Sequence, residues 1–117
     1  MKQKTNFSDI DGTLVHQVNF ETIDPFTSKA LPGAVEILTK MYKQGHHIVL
    51  TTARPEELRD LTIQEMDLLG IPFHHLVMGI GRSERILINN TSTKNPKEKR
   101  ATAIEVQKNI GLEGYGL

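Results

Sequence analysis

At 117 residues the chain has the size of one domain, 1–117, with room for a single hydrophobic core and none for a substantial second module. Fourteen basic residues balance fourteen acidic ones, so no global field favours nucleic acid or an anionic membrane as a partner. Cysteine is absent, which excludes disulfide and thiolate chemistry; no apolar stretch approaches the ~20 residues of a membrane span, and residues 1–6 lack the apolar run of a signal peptide. The expectation is a soluble, cytoplasmic protein that binds neither nucleic acid nor membrane.

In chain order, residues 4–8 read as a strand, although Thr5, Asn6 and Ser8 interrupt the apolar run that a central parallel strand should show. Residues 14–20 are a partly alternating stretch suited to a hairpin or flap, followed by a polar loop over 21–31. Pro32 stands where a helix should start. Val35, Leu38, Met41 and Tyr42 recur at helical spacing until Gly45. Residues 46–52 read as a buried strand. A second helix begins near Pro55, with Glu56 and Glu57 at the positive end of its dipole, Leu58, Leu61, Leu68 and Leu69 as its apolar positions, and Gly70 as its stop. Residues 75–78 and 85–89 predict two further strands. The tail over 95–109 fits a helix opened by Pro96 and closed by Gly111, but 101–106 also alternates with period two, and the strand is preferred. Alternating strands and helices predict an α/β fold with a parallel sheet.

Chemistry concentrates at Asp9-Ile10-Asp11-Gly12-Thr13. Two carboxylates at the end of a strand, with Gly12 permitting a sharp exit, can hold a divalent cation and present one oxygen as a nucleophile. A simple Asp-Gly turn between strands is the competing explanation. In an open parallel sheet ligands bind at the C-terminal strand ends, and Asp9, Thr52 and Asn90 all fall at such ends.

Asp9–Thr13 resembles the DxDGT motif I of the haloacid dehalogenase-like superfamily. Ile48-Val49-Leu50-Thr51-Thr52-Ala53-Arg54-Pro55 is similar to its motif II, and Ile86-Leu87-Ile88-Asn89-Asn90 sits where motif IV belongs. The blocks come in the right order from Lys4 to Asn90, and look most like the small capless phosphatases found with sugar and capsule biosynthesis enzymes. The resemblance implies a three-layer sandwich around a mainly parallel sheet, without a cap domain. It also implies a Mg²⁺-dependent phosphohydrolase acting on a small phosphorylated substrate, such as a sugar phosphate. Asp9 would be the nucleophile that becomes an aspartyl phosphate, and Asp11 the general acid and then base. Mg²⁺ would be held by Asp9, Asp11 through its main-chain carbonyl, and Asn90. Thr52, with Thr51 competing, would donate to a phosphate oxygen, and Arg54 would add a forked contact.

Two departures stand out. No lysine lies between Lys43 and Lys94, so the motif III lysine has only Arg82 or Arg85 as a substitute, with Arg82 preferred. In motif IV, Asn89-Asn90 replaces a pair ending in Asp; Asn90 offers a carbonyl oxygen but no charge, which predicts weakened metal binding. The alternative function is therefore a degenerate domain that binds a phosphorylated ligand or partner with little turnover. A phosphoacceptor receiver domain is a more distant option. An open, capless site would take a large substrate or be covered by neighbouring subunits of a homo-oligomer.

The remaining conspicuous residues point elsewhere. His46-His47 and His74-His75 lie near strand starts, at the end opposite the proposed crevice, and make a poor transition-metal site. Gly79-Ile80-Gly81 lacks the third glycine and helix of a dinucleotide fingerprint. Lys94, Lys97, Lys99 and Arg100 read as a solvated loop.

Overall fold

The computed structural model describes residues 2–117. Its sheet has three parallel strands in the order β1 (Thr5–Asp9), β2 (His47–Thr51) and β3 (His75–Val77), with helix α1 (Ala34–Lys43) joining the first two and α2 (Arg59–Leu69) the second pair. Thr5 is in register with His47 and Asp9 with Thr51, while Val49 pairs with His75 and Thr51 with Val77. The α/β class with a parallel sheet is thus as expected. β2 is the middle strand, and its Ile48-Val49-Leu50 run is buried on both faces, which is why it is continuously apolar. β1 lies at an edge. Phe7, its one large apolar residue, is 58% exposed, so the polar interruptions that looked anomalous for a central strand suit the position the strand occupies.

Helix α1 starts two residues after Pro32, with Gly33 in the left-handed region at φ 82° as its N-cap. A 3-10 turn at Glu56–Leu58 precedes α2, and Gly70 closes α2 at φ 78°. At the start of α2, Arg59 pairs with Glu56 and donates from Nη1 to the Leu76 carbonyl at 3.1 Å, tying the helix to β3. The core gathers Leu14, Val15, Leu38, Ile48, Leu50, Met66, Ile71, Leu76 and Leu112. Residues 14–20 form no hairpin: Leu14 and Val15 turn inward instead, with Leu31 N–H on the Leu14 carbonyl at 2.8 Å.

The fourth strand expected at 85–89 is not formed, and the tail over 95–109 is neither strand nor helix. Ile86, Leu87 and Ile88 are 79%, 55% and 90% exposed. The free edge of β1 presents mostly polar side chains, so docking these residues beside it would bury little apolar surface. The far end of the tail does dock. Leu112 is buried, its N–H donates to the Pro32 carbonyl at 2.8 Å, and Asn109 N–H donates to the Gly12 carbonyl at 2.8 Å. Among the described residues no helix is long and apolar enough to cross a membrane.

Candidate active site

β1 delivers Asp9 to its C-terminal end, and the chain then turns sharply. Gly12 sits at φ 80° and its N–H donates to the Val15 carbonyl at 2.8 Å, so the backbone closes on itself just past Asp11. β2 ends at Thr51 in register with Asp9, which brings Thr52 and Arg54 beside the same strand end. The β2 and β3 exits lock together through Thr52 N–H to the Val77 carbonyl at 2.9 Å and Gly79 N–H to the Arg54 carbonyl at 2.8 Å.

These ends surround a crevice of about 100 Å³ lined by Asp9, Asp11, Gln17, Phe20, Ala53, Arg82 and Arg85. Two carboxylates face two cations. Arg85 Nη2 lies 3.8 Å from Asp9 Oδ1, and the Arg82 guanidinium rests 4.5 Å from the centroid of the Phe20 ring. Thr13 Oγ1 donates to Asp9 Oδ2 at 3.3 Å. Burial pushes the Asp9 carboxyl above its ordinary value, Arg85 pulls it down, Asp11 pushes it up, and the balance is upward. A larger groove of about 560 Å³ between α2 and residues 71–73 is lined by Asp60, Ile63, Gln64, Asp67 and apolar neighbours. It offers two carboxylates and no cation, whereas the smaller crevice sets Arg82 and Arg85 beside its carboxylates.

Behind Asp11 lies a buried polar network. Arg54 Nε donates to Asp11 Oδ2 at 3.1 Å and Oδ1 at 3.3 Å, and Nη2 donates to Oδ1 at 2.8 Å. Nη1 turns the other way, to Glu65 Oε1 at 2.8 Å and Thr62 Oγ1 at 3.0 Å. Thr52 Oγ1 donates to Asp11 Oδ2 at 3.3 Å and accepts from the Arg54 N–H at 3.1 Å. Burial lowers the affinity of Arg54 for its proton, but the hydrogen bonds and charges of Asp11 and Glu65 outweigh it, leaving the guanidinium firmly charged. No buried side-chain polar atom among the described residues lacks a partner.

Of the residues singled out from the sequence, Asp9, Asp11 and Arg82 line the crevice, as does Arg85, the alternative to Arg82, whose Nη2 lies 3.8 Å from Asp9. Thr52 and Arg54 are fully buried behind Asp11, so the Arg54 fork is occupied by carboxylates of the chain itself. Asn90 is not brought to the crevice. It lies on the exposed 85–90 segment, and its Oδ1 accepts from Arg100 Nη2 at 3.3 Å. No group of three or more His, Cys, Asp or Glu side chains gathers to hold a metal among the described residues. Glu65 and Thr62 are not legible in the leucine pattern of α2. The buried positions Thr62, Glu65 and Met66, with the part-buried Leu58 and Leu69, form one helical stripe, and two polar residues on it were the available signal.

A family model described as haloacid dehalogenase-like hydrolase matches residues 6–77. Among solved structures, the D,D-heptose 1.7-bisphosphate phosphatase from B. bronchiseptica, complexed with magnesium and phosphate, superposes with a TM-score of 0.55 at 18% identity. That superposition covers 70% of this chain and 53% of the phosphatase, so this chain spans about half the length of that structure; at this identity the likeness is one of fold. No curated protein matches the sequence significantly.

Proposed function

This chain belongs to the haloacid dehalogenase-like hydrolase family, and from that membership we propose that it hydrolyses a small phosphate ester through an aspartyl phosphate on Asp9. The observation that carries the reading is the crevice itself, where Asp9 and Asp11 stand at the end of β1 facing Arg82 and Arg85. The structural neighbour is itself a phosphatase, which points the same way.

Asp9, on the rigid strand end and exposed to the crevice, attacks phosphorus through a carboxylate oxygen and breaks the bond to the leaving alkoxide. Asp11 gives that alkoxide a proton, then takes one from the water that cleaves the acyl phosphate and restores Asp9. Arg85 and Arg82 neutralise the phosphoryl oxygens, an electrostatic contribution made largest by preorganisation. The donor set fits Mg²⁺. Asp9 offers a hard carboxylate oxygen, the Asp11 main chain a carbonyl, and this cation retains several waters and needs only one or two protein carboxylates. Asp9 and Asp11 would hold it, and when bound it would offset the repulsion between the nucleophile and the phosphate. Asn90 as a further ligand requires the 85–90 segment to move to the crevice. The substrate reading is a small phosphate ester such as a sugar phosphate, because the crevice holds only about 100 Å³.

The second reading, a binding domain with little turnover, is favoured by the Arg85–Asp9 pairing, which occupies the nucleophile. Assaying p-nitrophenyl phosphate and sugar phosphates with and without Mg²⁺ separates the two. Turnover lost in Asp9→Asn supports the hydrolase. Phosphate binding without turnover in the parent overturns it in favour of the binding domain.

A further inference from the structure

We propose that Glu65 is a positioning residue of this site, holding Arg54 so that its fork presents the Asp11 carboxylate to the crevice in one orientation; the proposal rests on Asp11 being the acid–base group. Glu65 projects from α2 and is 2% exposed. Both of its oxygens are engaged, Oε1 by Arg54 Nη1 at 2.8 Å and Oε2 by Ser28 Oγ at 2.6 Å. The Arg54 side chain is 1% exposed and divides its donors between the two carboxylates. Ser28 thereby connects the loop before α1 to α2, and α2 through Arg54 to the catalytic turn after β1. Asp11, at the other end of this chain of contacts, lines the crevice.

A guanidinium bonded to Asp11 alone would swing with it, since three bonds to one carboxylate fix the relative orientation of the two groups but not their common position. The second anchor removes that freedom. Stability does not explain the arrangement, because a buried ion triad is commonly no more stabilising than apolar residues of the same volume. Geometry does: a displacement of about 1 Å at a reacting group can cost on the order of 10²-fold in rate.

The test compares the parent with Glu65→Leu, Glu65→Gln, Arg54→Met and the double variant Arg54→Met/Glu65→Leu, using p-nitrophenyl phosphate with Mg²⁺ and concentrations corrected for folded protein. Glu65→Leu should lower kcat by about 10- to 100-fold and leave KM within about two-fold. Glu65→Gln, which keeps an oxygen for Arg54, should lose less than Glu65→Leu. In the Arg54→Met background the leucine should cost nothing further in kcat, because Glu65 acts through Arg54. If Glu65→Leu melts earlier but keeps the parental kcat per folded molecule, or if the two losses simply add, the proposal is overturned. Exchange of the Arg54 Nε–H with solvent, followed by NMR, gives a readout without turnover. It should quicken in Glu65→Leu, and in Ser28→Ala should the leucine variant fail to fold. Should the parent not hydrolyse the ester, the phosphatase reading falls, and this exchange alone decides: quickening supports the hold on Arg54, and unchanged protection overturns it.

Discussion

Arg54 and Asp11 meet through a fork of three hydrogen bonds between 2.8 and 3.3 Å, in a site where the Arg54 side chain is almost wholly buried. Removing the cation leaves Asp11 and Glu65 facing each other across the space it filled. Arg54→Ala should therefore cost ~3–5 kcal/mol of stability, the usual consequence of stranding a buried charge. Urea unfolding measures it. A loss under about 1 kcal/mol would mean that water enters the cavity and that the network is looser than these distances.

That pairing also marks where the sequence stopped being informative. Thr-x-Arg after a strand suggests phosphate binding, and nothing in the local pattern says that Arg54 faces inward; the answer depends on Glu65, eleven residues on, occupying the inner stripe of α2. Elements governed by local rules were legible. The burial of Ile48 and Leu50, the Gly70 stop and the positive φ of Gly12 all follow from residues within one turn or strand. The strand expected at 85–89 failed because strand formation is a property of the partner as much as of the segment, and the free edge of β1 is polar. The polar character of β1 was visible from the start. What it signified, an edge position, was not.

Asp9 is expected to be both necessary and costly. Asp9→Asn should give neither phosphoenzyme nor product, since in the proposed mechanism the covalent bond forms on that carboxylate. The same variant should be more stable than the parent at neutral pH without Mg²⁺. The sign follows from the raised value of the Asp9 carboxyl: the folded state binds its proton more tightly than the unfolded state, so stability is fully present below the ordinary value of 3.8 and is lost as pH rises through the folded value. Denaturation midpoints of the two proteins should accordingly converge as pH falls towards 3.8. A midpoint for Asp9→Asn below that of the parent at pH 7 would contradict the burial of this charge.

Asn90→Asp tests the position of the 85–90 segment. With Asn90 exposed and bound to Arg100, the added carboxylate should change Mg²⁺ affinity by less than about three-fold, within the weak range of exposed charges. Calorimetric titration of both proteins reads this. Tightening by ten-fold or more would show that the segment folds onto the crevice when metal is present, as the family's motif order leads one to expect.

Gly111 fastens the tail to the front of α1. A Cβ at this position would lie 2.3 Å from the Pro32 oxygen, and its φ of +102° is strained for any side chain. Gly111→Ala should cost at least ~1–3 kcal/mol from backbone strain alone. The effect should reach the turn after β1, because Asn109 holds both the Gly12 carbonyl and, through Oδ1 at 2.8 Å, the Gln17 N–H. Hydrogen exchange at Gln17 should therefore quicken in Gly111→Ala. Protection at Gln17 equal to the parent would show that the turn stands without its tail.

At the opposite end of the sheet the histidines predict acid sensitivity. His47 stacks on His74 with ring centroids 4.2 Å apart, and His75 lies 5.1 Å away. Burial among these rings, and then the charges that His74 and His75 would carry, push His47 below its ordinary value of 6.5. A depressed base makes the folded state bind fewer protons than the unfolded state. Stability from this group is therefore intact above pH 6.5 and declines as pH falls through the window below it. Two neighbouring rings anchor the strand starts, His46 Nδ1 accepting from the Lys4 N–H and His74 Nδ1 from the Ile48 N–H, each at 3.0 Å. Urea midpoints should fall between pH 7.5 and 5.5 in the parent, and less steeply in His47→Gln. Equal slopes in the two proteins would remove His47 from the explanation.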